Sequence, residues 1–98
     1  MFGLSPTDWS LIETLCIHPL KSRGAAVWIF GSRARGEHRP YSDVDLVFET
    51  PAPLPVGLLG KIRENLEESR LPVKVDLVSW PELAESYRER AERERIVI

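Results

Sequence analysis

Apolar residues along this chain recur with helical spacing in some stretches and strand spacing in others, and the switches between the two mark its elements. Leu11, Ile12, Leu15 and Cys16 recur at i, i+1, i+4 and i+5, one stripe of a helix that lies on a sheet, and Trp9 widens it. Ser5-Pro6-Thr7-Asp8 is a helix start with Ser5 as N-cap, and Pro19 is a stop, so the first helix is predicted over about Pro6 to His18. Ala25 to Phe30 is a continuous apolar run ending at a glycine, as expected of a strand covered on both faces. Ser32 to Tyr41 has no apolar period and reads as a short helical turn followed by a loop. Asp43 to Glu49 then alternates, with Val44, Leu46 and Phe48 directed into the core and Asp43, Asp45, Val47 and Glu49 on the other face.

The proline-rich stretch Thr50 to Pro55 delivers the chain to a second helix over about Val56 to Arg70, whose buried stripe is Leu58, Leu59, Ile62 and Leu66. Pro72 ends it, and Val73 to Val78 is a predicted third strand with Asp76 on the face of Lys74 and Val78. Ser79-Trp80-Pro81-Glu82 repeats the capping-box pattern and opens a last helix to about Arg93, with a thin stripe of Leu83, Ala84, Tyr87 and Ala91 between flanks of Glu and Arg. Ile96-Val97-Ile98 is too brief to stand alone. The order predicts an α+β fold, a three-stranded mixed sheet packed with helices, as one domain over residues 1–98.

A composition 43% hydrophobic and 29% charged argues against wholesale disorder. No segment approaches the roughly 20 apolar residues a membrane helix needs, and no secretory leader opens the chain, so no membrane partner and a cytoplasmic location are expected. The net charge of -2, with arginines gathered near Gly31-Ser32 and in the last helix, implies no direct nucleic-acid binding. Cys16 is the single cysteine, which excludes an internal disulfide and a zinc site of several cysteines; on a helical apolar stripe it is a buried filler.

Three acids, Asp43, Asp45 and Asp76, interrupt otherwise apolar strands, and burying an unpaired carboxylate costs at least about 1 to 3 kcal/mol. If the second and third strands are neighbours the three converge, and such an oxygen cluster fits Mg²⁺ or Mn²⁺ shared with substrate phosphates. The Gly31-Ser32 turn with Arg33 and Arg35 beside it suits a polyphosphate. Each feature alone has a plain structural reading: an Asp-x-Asp at a strand edge with its acids in water, a glycine turn capped by serine. Their joint occurrence favours a nucleotide bound as its metal complex. His38 reads as a solvated loop residue, Tyr41 is left without a role, and Lys74 balances the charge of the acids.

Phe30-Gly31-Ser32, ten residues, Asp43-Val44-Asp45-Leu46 and the later Asp76 resemble the signature of the nucleotidyltransferases typified by DNA polymerase β. The longer strings GSRARG (Gly31 to Gly36), SDVDLV (Ser42 to Val47) and KVDLV (Lys74 to Val78) resemble the minimal nucleotidyltransferases, the MntA-like antitoxins, and that likeness spans nearly the whole chain. The resemblance implies that Gly31 and Ser32 hold the β and γ phosphates, reinforced by Arg33 and Arg35. It implies that Asp43 and Asp45 bind two metal ions roughly 4 Å apart and that Asp76 completes the second site and takes a proton. It implies, too, a Mg²⁺-dependent transfer of AMP from ATP to a tyrosine hydroxyl of a cognate HEPN-domain toxin. A chain this short leaves the acceptor to a partner. The alternative is an antitoxin that neutralises its toxin by covering it, with catalysis dispensable. Transfer to an RNA end or small molecule ranks below both, and the residues leave base preference and homo- or hetero-oligomeric state open.

Overall fold

The computed structural model describes residues 1–98. Its sheet has four strands in the order β3-β2-β1-β4, from β1 (Ala26–Phe30), β2 (Val44–Glu49), β3 (Val75–Ser79) and β4 (Ile96–Val97). β1 and β2 are antiparallel, with Phe30 opposite Asp45, and β2 and β3 are parallel, with Asp45 opposite Asp76. The predicted three-stranded sheet therefore gains an edge strand. Ile96 and Val97 are too few to display a period, and backbone pairing with Ile29 and Trp28 makes them a strand; the Ile98 N–H donating to the Val27 carbonyl extends that ladder.

Val27, Ile29, Val44, Leu46, Phe48 and Leu77 form the buried face of the sheet, and the helical N-terminal segment and α4 (Leu58–Glu68) pack on it through Ile12, Cys16, Ile17, Leu20, Ile62 and Leu66. Burial pushes the Cys16 thiol up to about 12, which leaves it an inert filler. The first helix runs further than Pro19 was expected to allow. After α1 (Pro6–Ile12), capped by the Ser5 hydroxyl accepting from the Asp8 N–H, Glu13–Ile17 widens into a π-helical turn and α2 (His18–Lys21) continues through the proline. The wider turn accommodates a residue that has no N–H to donate. Its gain is the burial of Leu20, which is fully enclosed.

The opposite face carries Trp28, Phe30, Asp45, Val47, Asp76 and Val78, and only part of it is covered. β1 accordingly alternates between buried and half-buried positions and is not enclosed on both sides. α5 (Glu85–Glu94) lies over this face and buries Ala91. The expected capping box at Ser79 does not form: the Ser79 side chain caps nothing, Trp80–Glu82 is a single 3₁₀ turn, and Leu83 and Ala84 are extended before α5 begins. Arg88 donates to the Pro81 and Leu83 carbonyls and so bridges the break. At the far end of α5 the Arg95 guanidinium stacks 4.2 Å from the Trp28 ring and 4.5 Å from the Trp80 ring, fixing the entry into β4.

Candidate active site

β1 ends at Phe30 and the chain turns at Gly31 into α3 (Gly31–Arg35). Gly31 has φ +75°, and a Cβ there would stand 2.5 Å from Asp45 Oδ2, because Phe30 is the register partner of Asp45 and the turn passes directly over that carboxylate. Only glycine satisfies both demands. Gly31→Ala is expected to destabilise the protein by about 1 to 2 kcal/mol through left-handed strain and displacement of Asp45. An unchanged denaturant midpoint would contradict this. Phe30 provides no side-chain cap, so the first N–H groups of α3 stay open.

Gly31, Ser32, Arg35, Asp45 and Asp76 line one cleft of about 530 Å³, whose second wall is Leu83, Tyr87, Arg90, Ala91 and Glu94. Asp45 and Asp76 stand side by side on parallel strands, whose backbones lie about 4.8 Å apart. The Asp45 carboxyl is pushed up to about 6, first by burial and then by the negative charges of Asp76 and Asp43, and no ion pair engages any of the three acids. Asp43 precedes β2, is exposed and does not line the cleft, although its charge reaches Asp45. The convergence expected of three carboxylates is thus realised for two, with the third at the approach.

No group of three or more acid, histidine or cysteine side chains forms a ready-made cage for a metal ion. The donor set nevertheless fits a hard divalent cation. It is all oxygen, none of its acids is engaged in an ion pair, and Mg²⁺ characteristically takes one or two carboxylates and completes its shell with phosphate and water.

Arg33 is the clear correction. It is 1% exposed, and its Nε, Nη1 and Nη2 donate to the carbonyls of Ser42, Phe2 and Pro40 at 3.0, 2.9 and 3.3 Å. It clamps the N-terminal segment and the loop that delivers Asp43, and has nothing left for a phosphate. Arg35 does face the cleft, held by Glu37 and Glu94 at 3.0 and 2.9 Å. Those hydrogen bonds, Glu37 first, raise its already high pKa, and Glu94 is in turn lowered, first by its hydrogen bond from Arg90. His38 is not the solvated residue expected: it is half-buried against Gly3, and its Nδ1 is enclosed without a hydrogen-bond partner. Tyr41 is 81% exposed. Lys74 draws the Asp45 carboxyl downward by its charge, as expected of a counter-charge.

Residues 11–98 match the nucleotidyltransferase domain family. The chain belongs to this family. A Haemophilus influenzae protein assigned as the protein adenylyltransferase MntA is 39% identical to this nucleotidyltransferase domain over 72 residues, 74% of this chain, which spans 63% of that protein's length. A solved structure assigned as a minimal nucleotidyltransferase is 33% identical, covers 94% of this chain and 89% of its own, and superposes with a TM-score of 0.64. The crystal structure of a toxin-antitoxin with AMP-PNP shares the fold at 20% identity and a TM-score of 0.66, covering 87% of this chain and 70% of its own. The α+β fold, a mixed sheet packed with helices, is what these neighbours share with this nucleotidyltransferase.

The cleft wall from α5 was missing from the sequence reading. Tyr87, on the thin stripe of that helix, is 61% exposed and lines the cleft, and by sequence Arg90 and Glu94 are indistinguishable from the other alternating charges there. Their spacing was the available signal: Tyr87, Arg90, Ala91 and Glu94 follow i, i+3, i+4 and i+7 and so share one face.

Proposed function

We propose that this protein transfers AMP from ATP, with Mg²⁺, to a tyrosine hydroxyl of a cognate HEPN-domain toxin, and so acts as its antitoxin. The observation that carries this reading is the pairing of Asp45 with Asp76 directly beneath the Gly31-Ser32 turn, in one cleft with Arg35. The MntA likeness and the toxin-antitoxin neighbour that holds AMP-PNP support the choice of nucleotide and acceptor.

In this reading the Ser32 hydroxyl and the open N–H groups of the turn bind the β and γ phosphates, and Arg35 reinforces them. Asp45 and Asp76 would hold Mg²⁺, with Asp43 at the approach, and the bound ion would supply neutralisation of phosphate charge and acidification of the acceptor hydroxyl. The acceptor oxygen attacks the α-phosphorus, the bond from that phosphorus to the bridging oxygen breaks, and pyrophosphate leaves. Asp76 lies nearer the open end of the pair, where it can take the proton the hydroxyl loses. In this reading the reaction takes place in the cytoplasm, where ATP is available.

Incubation with ATP, Mg²⁺ and a HEPN-domain protein encoded in the neighbouring reading frame is expected to add one AMP mass to that protein. The Asp43→Asn, Asp45→Asn double variant should add none. An unmodified partner would sink the reading. If the double variant still rescues cells at equal expression, neutralisation is by occlusion.

A further inference from the structure

Two arginines and three carboxylates line the cleft: Arg35 and Arg90 against Asp45, Asp76 and Glu94. As it stands the cleft offers a triphosphate no unengaged cation. Glu94 is the reason. Its Oε2 takes Arg35 Nη1 at 2.9 Å and its Oε1 takes Arg90 Nε at 3.1 Å, so each oxygen of one carboxylate is gripped by a different guanidinium. Two oxygens of a phosphate group offer the same arrangement to the same pair of donors. Glu94 also closes α5, where the helix dipole disfavours an acid, so the arginines and not the helix hold this carboxylate in place.

We propose that Arg90 joins Arg35 in binding the polyphosphate of the nucleotide, and that Glu94 occupies the phosphate position until the nucleotide displaces it. This rests on the nucleotidyl-transfer reading of the cleft. It assigns the role that Arg33 cannot fill to a residue 57 positions later in the chain, on the opposite wall. The exchange is feasible because neither contact is fully buried: the side chains of Arg35, Arg90 and Glu94 are 26%, 57% and 24% exposed, and partly exposed ion pairs are weak. Arg35 keeps its second partner, Glu37, on the outer side of the turn, so releasing Glu94 does not release Arg35 from its position. The emptied cleft gains one net positive charge when Glu94 swings away, which is the direction an anionic ligand requires.

The test is calorimetric binding of a non-hydrolysable ATP analogue with Mg²⁺ to the full chain. Glu94→Gln is expected to bind about three- to tenfold tighter than wild type, Glu94→Ala likewise, and Arg90→Ala about tenfold weaker. The Arg90→Ala loss should persist in the Glu94→Gln background and be much smaller for AMP, which lacks the β and γ phosphates. A purely structural Arg90–Glu94 pair predicts weaker binding in all three variants, or none changed, and either result overturns the proposal. If the analogue binds wild type, is lost in Asp45→Ala and is indifferent to position 90, the latch fails and the reading of the site stands. If it binds neither wild type nor any variant, both fail.

Discussion

Asp45→Asn is expected to make the metal-free protein harder to unfold and unable to transfer AMP. The two effects have one cause. In the folded chain the Asp45 carboxyl titrates at about 6, against about 3.9 for an unconstrained aspartate, because burial and the neighbouring Asp76 and Asp43 charges oppose its ionisation. The folded state therefore binds this proton more tightly than the unfolded state does. Stability from this group is complete below about pH 4 and is lost as pH rises through about 6. Two units correspond to nearly 3 kcal/mol, and water at the half-open cleft reduces that to about 1 to 1.5 kcal/mol. In EDTA, denaturant midpoints of the wild type between pH 4.5 and 8 should fall by that amount relative to the variant. Mg²⁺ should raise the melting temperature of the wild type at pH 8 and leave the variant where it was. Transfer by the variant should drop more than about a thousandfold, since the amide keeps an oxygen but not the negative charge that would hold a divalent cation there. Parallel pH profiles would show that the charge at 45 carries no strain.

Arg33→Ala is expected to be the most damaging single change outside the cleft. Three part-buried carbonyls lose their donor, at about 1 to 3 kcal/mol for each that water cannot reach, and the vacated volume adds a cavity term. Removing a desolvated cation returns part of this, so the net loss should be about 3 kcal/mol or more, a large share of a small domain's stability. Arg33→Lys should recover little, because one ammonium cannot spread over three carbonyls from two segments. Chemical denaturation of the two variants decides the matter, and a loss under about 1 kcal/mol in Arg33→Ala would mean the clamp is dispensable.

The same arginine shows where sequence reasoning stops. Arg33 and Arg35 sit two positions apart in one five-residue helix, with identical chemistry and no apolar period around them to orient the turn. Which one points inward depends on the carbonyls of Phe2, Pro40 and Ser42, and those are positioned by the tertiary fold. Elements with a repeating pattern were legible: the stripes of the first helix and α4, the alternation of β2, and the pairing of Asp45 with Asp76 that follows once β2 and β3 are neighbours. Elements set by backbone pairing or by a proline's surroundings were not. β4 is two residues long, Pro19 lies inside a helix because Leu20 repays the wider turn, and Ser79 begins a 3₁₀ turn because Trp80 is drawn toward Arg95 and Trp28. The glycine turn and the acids were legible because each breaks a local pattern, whereas the α5 wall continues one.

The parallel crossover and the late fourth strand also set an order in time. β1 and β2 join through a short connection, while β3 reaches β2 only across α4, and the Arg35–Glu94 contact closes a gap of 59 positions. Contacts so distant in sequence form late, since their loops are the slowest to close. Such separations favour the glycine turn over Asp45 forming ahead of the Asp45–Asp76 pairing, and that pairing ahead of the α5 wall. The acids therefore rest on more local contacts than the wall that faces them.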